Sequence, residues 1–182
     1  MKRNYITGTF ISILFLITFS VQAQVSTNVS INLTDVISVD PNSSIHADPV
    51  RFQYKNEGDY NKSQTIVRNS YLIVTATQSY DIKVKADGPN FIGEGTAAGS
   101  TIPVNVLTVD ASDNTSDLPG AVISVINLST EDQNIVTGAE KGNEQQLTIK
   151  YIIPQAKSQS PDILGKPSGN YIQKLTYSVI AH

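Results

Sequence analysis

Apolar residues recur at every second position along most of this chain. The longest such stretch is 25–39, where Val, Thr, Val, Ile, Leu, Asp, Ile and Val occupy the odd-numbered positions. Alternation with a period of two residues predicts a β-strand with one buried face. Shorter stretches of the same kind predict further strands at 50–54, 64–77, 80–87, 102–109, 121–128, 146–153 and 171–180.

Most of the glycine and proline residues lie between these stretches, in polar segments typical of turns. Sustained helical periodicity is absent, although Ser129 or Thr130 could cap one helical turn within 129–141. About eight strands rich in β-branched residues and tyrosine, separated by polar turns, are typical of an antiparallel β-sandwich. The predicted fold class is therefore all-β, with an N-terminal strand or extension at 24–40 and a sandwich domain at 41–182.

The first 23 residues are predicted to be a signal peptide. Lys2 and Arg3 precede a short apolar run at 10–19, and the small residue Ala23 ends the segment. An uncleaved N-terminal anchor is the alternative, but the apolar run is short for a bilayer span, and no later segment is long enough. We therefore expect an exported protein, secreted or held at the cell surface, with no membrane span once the signal is removed.

Composition limits the protein to a few classes. About 160 residues remain after the signal, which is enough for one domain with a real core. There is no cysteine, so the fold has no disulfide and the chain has no lipoprotein anchor. The formal net charge is −3, and loss of Lys2 and Arg3 makes it more negative. This balance argues against a nucleic-acid partner, which requires a basic face.

The sequence contains little that could carry catalysis. Its only histidines are His46 and His182, and no strand–turn–helix serine motif is present. Carboxylates such as Asp81 and Asp87 fall on solvent faces or in turns, where solvated surface charge is the expected role. We therefore predict that the protein is not an enzyme and has no cofactor.

The best candidate for a metal site is the loop "DASDNTSDLPG", which contains Asp110, Asp113, Asn114 and Asp117. Calcium binds several carboxylate and carbonyl oxygens on a flexible loop, but this spacing lacks the central glycine and the closing glutamate of the hand-type loop. The favoured interpretation is a hairpin connection in which Asp and Asn side chains bond to their own backbone. We predict no metal site.

A glycan-binding surface would need exposed aromatic side chains. The chain has no tryptophan, and most of its eight tyrosines lie at alternating strand positions. Tyr54 and Tyr60, on either side of "KNEGD", are the one pair suited to a contact surface. The favoured interpretation for both is ordinary packing of a strand residue and a loop residue.

Four stretches occur in a particular order along the chain. An alternating extension that ends in Val-Asp-Pro, "NVSINLTDVISVDP", comes first, and the central strands "YDIKVKADGPNF" and "IPVNVLTV" follow. The chain closes with "GKPSGNYIQKLTYSVIAH". This order resembles the subunits of chaperone–usher pili, in particular the alternate class that forms colonisation-factor fimbriae. Gly-x-Tyr before a last strand also resembles WxL-type surface domains, but the tryptophan of that family is missing.

The pilin resemblance implies an immunoglobulin-like sandwich that lacks its final strand and is completed by the N-terminal strand of a neighbouring subunit. A donated strand needs apolar side chains at every second position, and Val25, Val29, Ile31 and Leu33 fit that role. The last strand would border the groove through one face made of Tyr171, Leu175, Tyr177 and Val179. The implied partners are further copies or other fibre subunits, and a periplasmic chaperone.

Two alternatives stay open from the sequence. The segment 25–39 has the same pattern whether it is donated to a neighbour or serves as the first strand of its own domain, and Ile37 and Val39 could belong to either. The leading functional hypothesis is a structural subunit of a pilus-like surface fibre, with or without an adhesive role. The alternative is a self-contained secreted binding module for a glycan or cell-wall polymer.

Overall fold

The computed structural model describes residues 31, 35–39, 50–112 and 117–182. The chain divides into two units, Met1–Leu33 and Thr34–His182, and the fold reported below is that of the second. The predicted signal peptide and most of the predicted donor segment lie outside the described residues. No helix among the described residues is long and apolar enough to cross a membrane.

Antiparallel strands dominate the second unit, which confirms the predicted all-β class. The strands of the described residues are β1 (Ile37–Val39), β2 (Gln64–Ala76), β3 (Tyr80–Ala86), β4 (Asn90–Glu94), β5 (Thr101–Pro103), β6 (Thr108–Asp110), β7 (Val122–Ile123), β8 (Val125–Asn127), β9 (Gln133–Ala139), β10 (Gly142–Ile153), β11 (Asn170–Ile172) and β12 (Leu175–Ala181). The described residues also form two short α-helices. Helix α1 (Glu57–Tyr60) precedes β2, and helix α2 (Gln155–Ser158) follows β10.

These strands form three sheets. The five-stranded sheet has the order β1-β2-β10-β6-β8, the four-stranded sheet has the order β12-β3-β9-β7, and the small three-stranded sheet has the order β11-β4-β5. All of the pairings are antiparallel. The chain first passes from the five-stranded to the four-stranded sheet between β2 and β3. Later along the chain, β6, β8 and β10 of the five-stranded sheet alternate with β7 and β9 of the four-stranded sheet.

The five-stranded and four-stranded sheets enclose one apolar core. Every second residue of β3 is buried, and Ile82 and Val84 have no exposed surface. They belong to one cluster with the buried residues of β2, β9 and β10, including Leu72, Ile135 and Ile149. The Tyr80 hydroxyl of one sheet donates to Gln145 Oε1 of the other at 3.2 Å. The period-two pattern thus predicted the buried faces correctly.

Several predicted strands differ in detail from those observed. Residues 102–109 are interrupted by a 3-10 helix at Val104–Val106, which separates β5 of the small sheet from β6 of the five-stranded sheet. Residues 50–54 show alternating burial, yet no strand pairing includes them. The strand β9 replaces the helical turn considered within 129–141, and β4 occupies a segment for which no strand was predicted.

The predicted single strand at 171–180 is wrong. The chain leaves one sheet and enters another at Gln173, whose Nε2 donates to the carbonyls of Gly88 and Asn90 at 2.6 and 2.9 Å. Tyr171 therefore lies in β11 opposite Gly93 of β4, and only Leu175 onward pairs with β3.

The strand β1 bears on an alternative that the sequence left open, namely whether Ile37 and Val39 belong to the domain's own first strand. Ile37 pairs with Ala76 and Val39 with Val74, so β1 belongs to the domain's own first sheet. The chain is already held at Val36, whose N–H donates to Thr77 Oγ1 at 2.8 Å. Ile37 and Val39 therefore belong to the second unit, Thr34–His182, and pair within its first sheet.

Candidate functional site

The outer strands of the three sheets differ greatly in length. The strands β1, β5, β7, β8 and β11 have two or three residues each, whereas β12 has seven. All seven residues of β12 pair with β3 without a register shift. No strand among the described residues pairs with the other side of β12. This long outer side, which we call the β12 edge, is the candidate site.

Two hydrogen bonds fix which backbone groups face the β12 edge. Asp87 N–H donates to the Lys174 carbonyl at 3.0 Å, and His182 N–H donates to the Ser79 carbonyl at 2.9 Å. Hydrogen-bonded and non-bonded pairs alternate along an antiparallel ladder. The even-numbered residues of β12 therefore bond to β3, and the N–H and C=O groups of residues 175, 177, 179 and 181 point outward. The edge offers four donors and four acceptors to an added strand.

The side chains of the same residues face the core. Leu175, Tyr177 and Val179 lie opposite Ala86, Val84 and Ile82 of β3 and pack against the core cluster. Their partners on β3 are fully or almost fully buried, whereas these three are only half-buried. An added strand with apolar side chains on the inner face would cover them and extend the core.

Tyr177 is held firmly in this row. Its ring meets the ring of Tyr71 edge to face, with centroids 6.0 Å apart, and its hydroxyl is hydrogen-bonded to the hydroxyl of Tyr151. Burial raises the pKa of the Tyr177 hydroxyl and, more strongly, that of Tyr151, so both are neutral at physiological pH. Tyr71 and Tyr151 were not predicted as parts of the site, although their alternating positions marked them as core residues.

Polar contacts hold both ends of β12 in place. At its start, Thr176 Oγ1 donates to Asp87 at 2.7 Å and Lys174 Nζ lies 3.0 Å from the same carboxylate. The hydrogen bond from Thr176, together with Lys174, lowers the pKa of Asp87. At its end, Ser79 Oγ donates to the His182 carbonyl at 3.0 Å. The edge is consequently a fixed template rather than a frayed end.

The β12 edge lacks the features by which proteins usually block exposed strand edges. The sequence of β12 is LTYSVIA, without a charged residue or a proline, and its ladder with β3 contains no bulge. Charges, prolines, bulges and very short strands are the common protections against unwanted pairing. A long flat edge without any of them is suited to pairing with an extended segment.

The predicted site residues are distributed as follows. Val25, Val29 and Leu33 lie outside the described residues. Ile31 is described and 82% exposed. On the predicted groove border, Leu175, Tyr177 and Val179 lie together on the β12 edge, whereas Tyr171 does not. The Tyr171 hydroxyl donates to the Pro167 carbonyl at 2.8 Å in the small sheet, so it has no part in this site.

The other candidates from the sequence give no comparable site. The ring centroids of Tyr54 and Tyr60 lie 4.7 Å apart with the rings tilted by 39°, and both rings pack against the core. The Tyr54 hydroxyl is hydrogen-bonded to buried Ser158 Oγ at 2.7 Å. Asp110 Oδ1 accepts the Ser112 N–H at 2.7 Å, a turn contact of the kind expected for this loop. Among the described residues, which exclude Asp113 and Asn114, no group of acidic or histidine side chains could hold a metal ion.

No protein-family model matches the sequence, and a search of curated proteins gives no match either.

Proposed function

We propose that this protein is a structural subunit of a surface fibre, assembled when the N-terminal segment of one molecule pairs with the β12 edge of another. The observation that carries the proposal is the β12 edge itself. It is seven residues long, has no strand partner on its outer side among the described residues, and carries half-buried apolar side chains. Strand addition to an edge of this kind supplies affinity through main-chain hydrogen bonds and specificity through alternate side chains.

The N-terminal segment has the composition that such an edge requires. Residues 25–33 carry apolar or β-branched side chains at odd positions and small polar side chains at even positions, with no charge. Because β1 begins at Ile37 and is already paired with β2, the segment available for donation ends near residue 34. The high exposure of Ile31 is compatible with a side chain that is used by another molecule.

The strand pairings support an immunoglobulin-like topology that lacks its last strand. In such sandwiches the second strand pairs with the fifth, the fifth with the fourth, and the third with the sixth. The pairs β2–β10, β10–β6 and β3–β12 correspond to these. The seventh strand would cover the β12 edge. One departure is β9, which lies beside β3 but follows β6 in the chain.

Export to the cell surface is part of the proposal, and it rests on the predicted signal peptide at 1–23. A role as a self-contained glycan-binding module is less well supported. The one aromatic pair suited to a glycan, Tyr54 and Tyr60, is turned toward the core.

The change Ile31→Asp tests the proposal in the otherwise intact exported chain. A charge buried in an apolar groove costs several kcal/mol, so we expect at least a roughly hundredfold loss of association in size-exclusion chromatography. Thermal unfolding of the monomer should not change, because Ile31 is exposed. The proposal is wrong if the wild-type chain stays monomeric at every concentration, or if Ile31→Asp unfolds the domain.

A further inference from the structure

We infer that an added strand takes one register on the β12 edge, with Ile31 of the incoming copy opposite Tyr177. The inference rests on the proposed function, because it assumes that residues 25–33 of a second copy are the added strand. It follows from matching the apolar positions of the two strands.

The β12 edge has three half-buried apolar side chains in a row, and polar or small residues limit the row at both ends. Leu175, Tyr177 and Val179 pack on the core. Two residues before them, the side chain of Gln173 is engaged with backbone carbonyls. Two residues after them, Ala181 is small and exposed. The edge therefore presents an apolar window that is three alternate residues long.

The N-terminal segment has an apolar window of the same length. Val29, Ile31 and Leu33 follow one another at alternate positions. Thr27 limits this window on one side and Asp35 on the other. Asp35 is in addition engaged within its own domain, where its Oδ2 accepts the Gln78 Nε2–H at 2.6 Å.

Two windows of three residues match in full only when their centres coincide. In an antiparallel arrangement Leu33, Ile31 and Val29 meet residues 175, 177 and 179, and in a parallel arrangement the outer two exchange. Ile31 meets Tyr177 in both. A shift by two residues brings either Thr27 or Asp35 against the half-buried apolar row, where a hydroxyl or a carboxylate would lose hydration.

Tyr177 strengthens the preference for this register because it cannot move aside. Its ring contacts Tyr71 and its hydroxyl is bonded to Tyr151, so rotation of the side chain would break both contacts. Aromatic and β-branched side chains opposite each other are favourable cross-strand pairs. Ile31, at the centre of the incoming window, gives the fixed ring of Tyr177 such a β-branched partner, whereas Leu33 would not.

Val25 lies outside the match in either direction of the incoming strand. Two substitutions of the same kind in the same segment, Val25→Asp and Ile31→Asp, should therefore differ in their effect on association. Ile31→Asp should weaken association at least about a hundredfold, whereas Val25→Asp should change it less than about threefold. An equal loss for both variants would contradict the register.

Disulfide trapping in the full chain locates the register directly, since the protein has no cysteine of its own. Molecules with Ile31→Cys are mixed with molecules that carry Leu175→Cys, Tyr177→Cys or Val179→Cys. Directly opposite residues lie about 5.5 Å apart between Cα atoms, within disulfide range, whereas a two-residue shift exceeds that range. We expect the 31–177 pair to form far more dimer than 31–175 or 31–179.

A second set of pairs keeps the test valid if Tyr177→Cys disturbs the fold. Val29→Cys and Leu33→Cys should each link to position 175 or 179. A dominant 31–175, 31–179 or 29–177 link would overturn the register while leaving strand addition intact. Absence of every link between positions 29–33 and β12 would instead overturn the proposed function.

Discussion

Proline substitution along β12 separates the role of the strand in its own domain from its role as an edge. The N–H of Val179 points outward and has no strand partner among the described residues, whereas the N–H of Ser178 belongs to the pair with Lys83 of β3. Proline has no N–H, and its ring occupies the space in front of the missing hydrogen. The same substitution at adjacent residues should therefore have opposite consequences.

The magnitudes follow from the hydrogen bonds that each change removes. Ser178→Pro deletes one ladder bond, worth about 1 kcal/mol, and leaves the Lys83 carbonyl without its donor, for a total of roughly 2–4 kcal/mol. Val179→Pro deletes no bond of the monomer and should cost about 1 kcal/mol, through the change in side chain and φ. In the assembly, however, Val179→Pro removes one bond to the added strand and opposes its close approach, a loss of roughly 2–4 kcal/mol or about 30- to 1,000-fold in association.

Urea unfolding measures the first effect, and sedimentation or size exclusion at several concentrations measures the second. Val179→Ala is the matched control, because it shortens the side chain but keeps the N–H, and it should assemble better than Val179→Pro. The reasoning is refuted if Val179→Pro destabilises the monomer as much as Ser178→Pro does, or if Val179→Pro assembles like the wild type.

Three further predictions concern the stability of the domain. The Asp59 carboxylate accepts the N–H of Lys55 at 2.8 Å, and this bond lowers its pKa, so its contribution is present above the unfolded pKa and is lost as the pH falls. Asp59→Asn should thus lower the melting temperature at pH 7 but not at pH 2. Burial raises the pKa of Tyr80 to about 12, so its contribution is lost as the pH rises from about 10 to 12, and Tyr80→Phe should make alkaline unfolding less steep. Tyr54→Phe leaves buried Ser158 without a partner and should cost about 1–2 kcal/mol in urea unfolding, and no change would contradict that hydrogen bond.

The buried faces of the sandwich were predictable from the sequence because the pleat of a strand is local. In β3 the alternation of Tyr80, Ile82 and Val84 with Asp81 and Lys83 gives the observed burial residue by residue. The same holds for β10 from Leu147 to Ile153, whereas β2 breaks the alternation at Tyr71 and Leu72, which are both buried. Where a strand pairs is decided by distant parts of the chain, and there the predictions were less successful.

The segment 171–180 shows why the site could not be predicted in full. Tyr171 and Tyr177 have the same parity, and a continuous strand would place them on one face. The side chain of Gln173 bonds to carbonyls some 80 residues earlier in the chain and diverts the backbone into another sheet. The direction of each backbone N–H on β12 likewise depends on pairing with β3, which no pattern within 175–181 reveals.

Amide hydrogen exchange along β12, read residue by residue by NMR, tests the central claim most directly. In the monomer, the even-numbered amides of Thr176, Ser178 and Ile180 should be protected by β3, and those of Tyr177 and Val179 should exchange quickly. For the assembled protein, exchange is carried out on the assembly, which is then dissolved under quenching conditions for the NMR measurement. There the amides of Tyr177 and Val179 should be protected as well. If these two amides exchange equally fast before and after assembly, no strand has been added to the β12 edge, and the account is wrong.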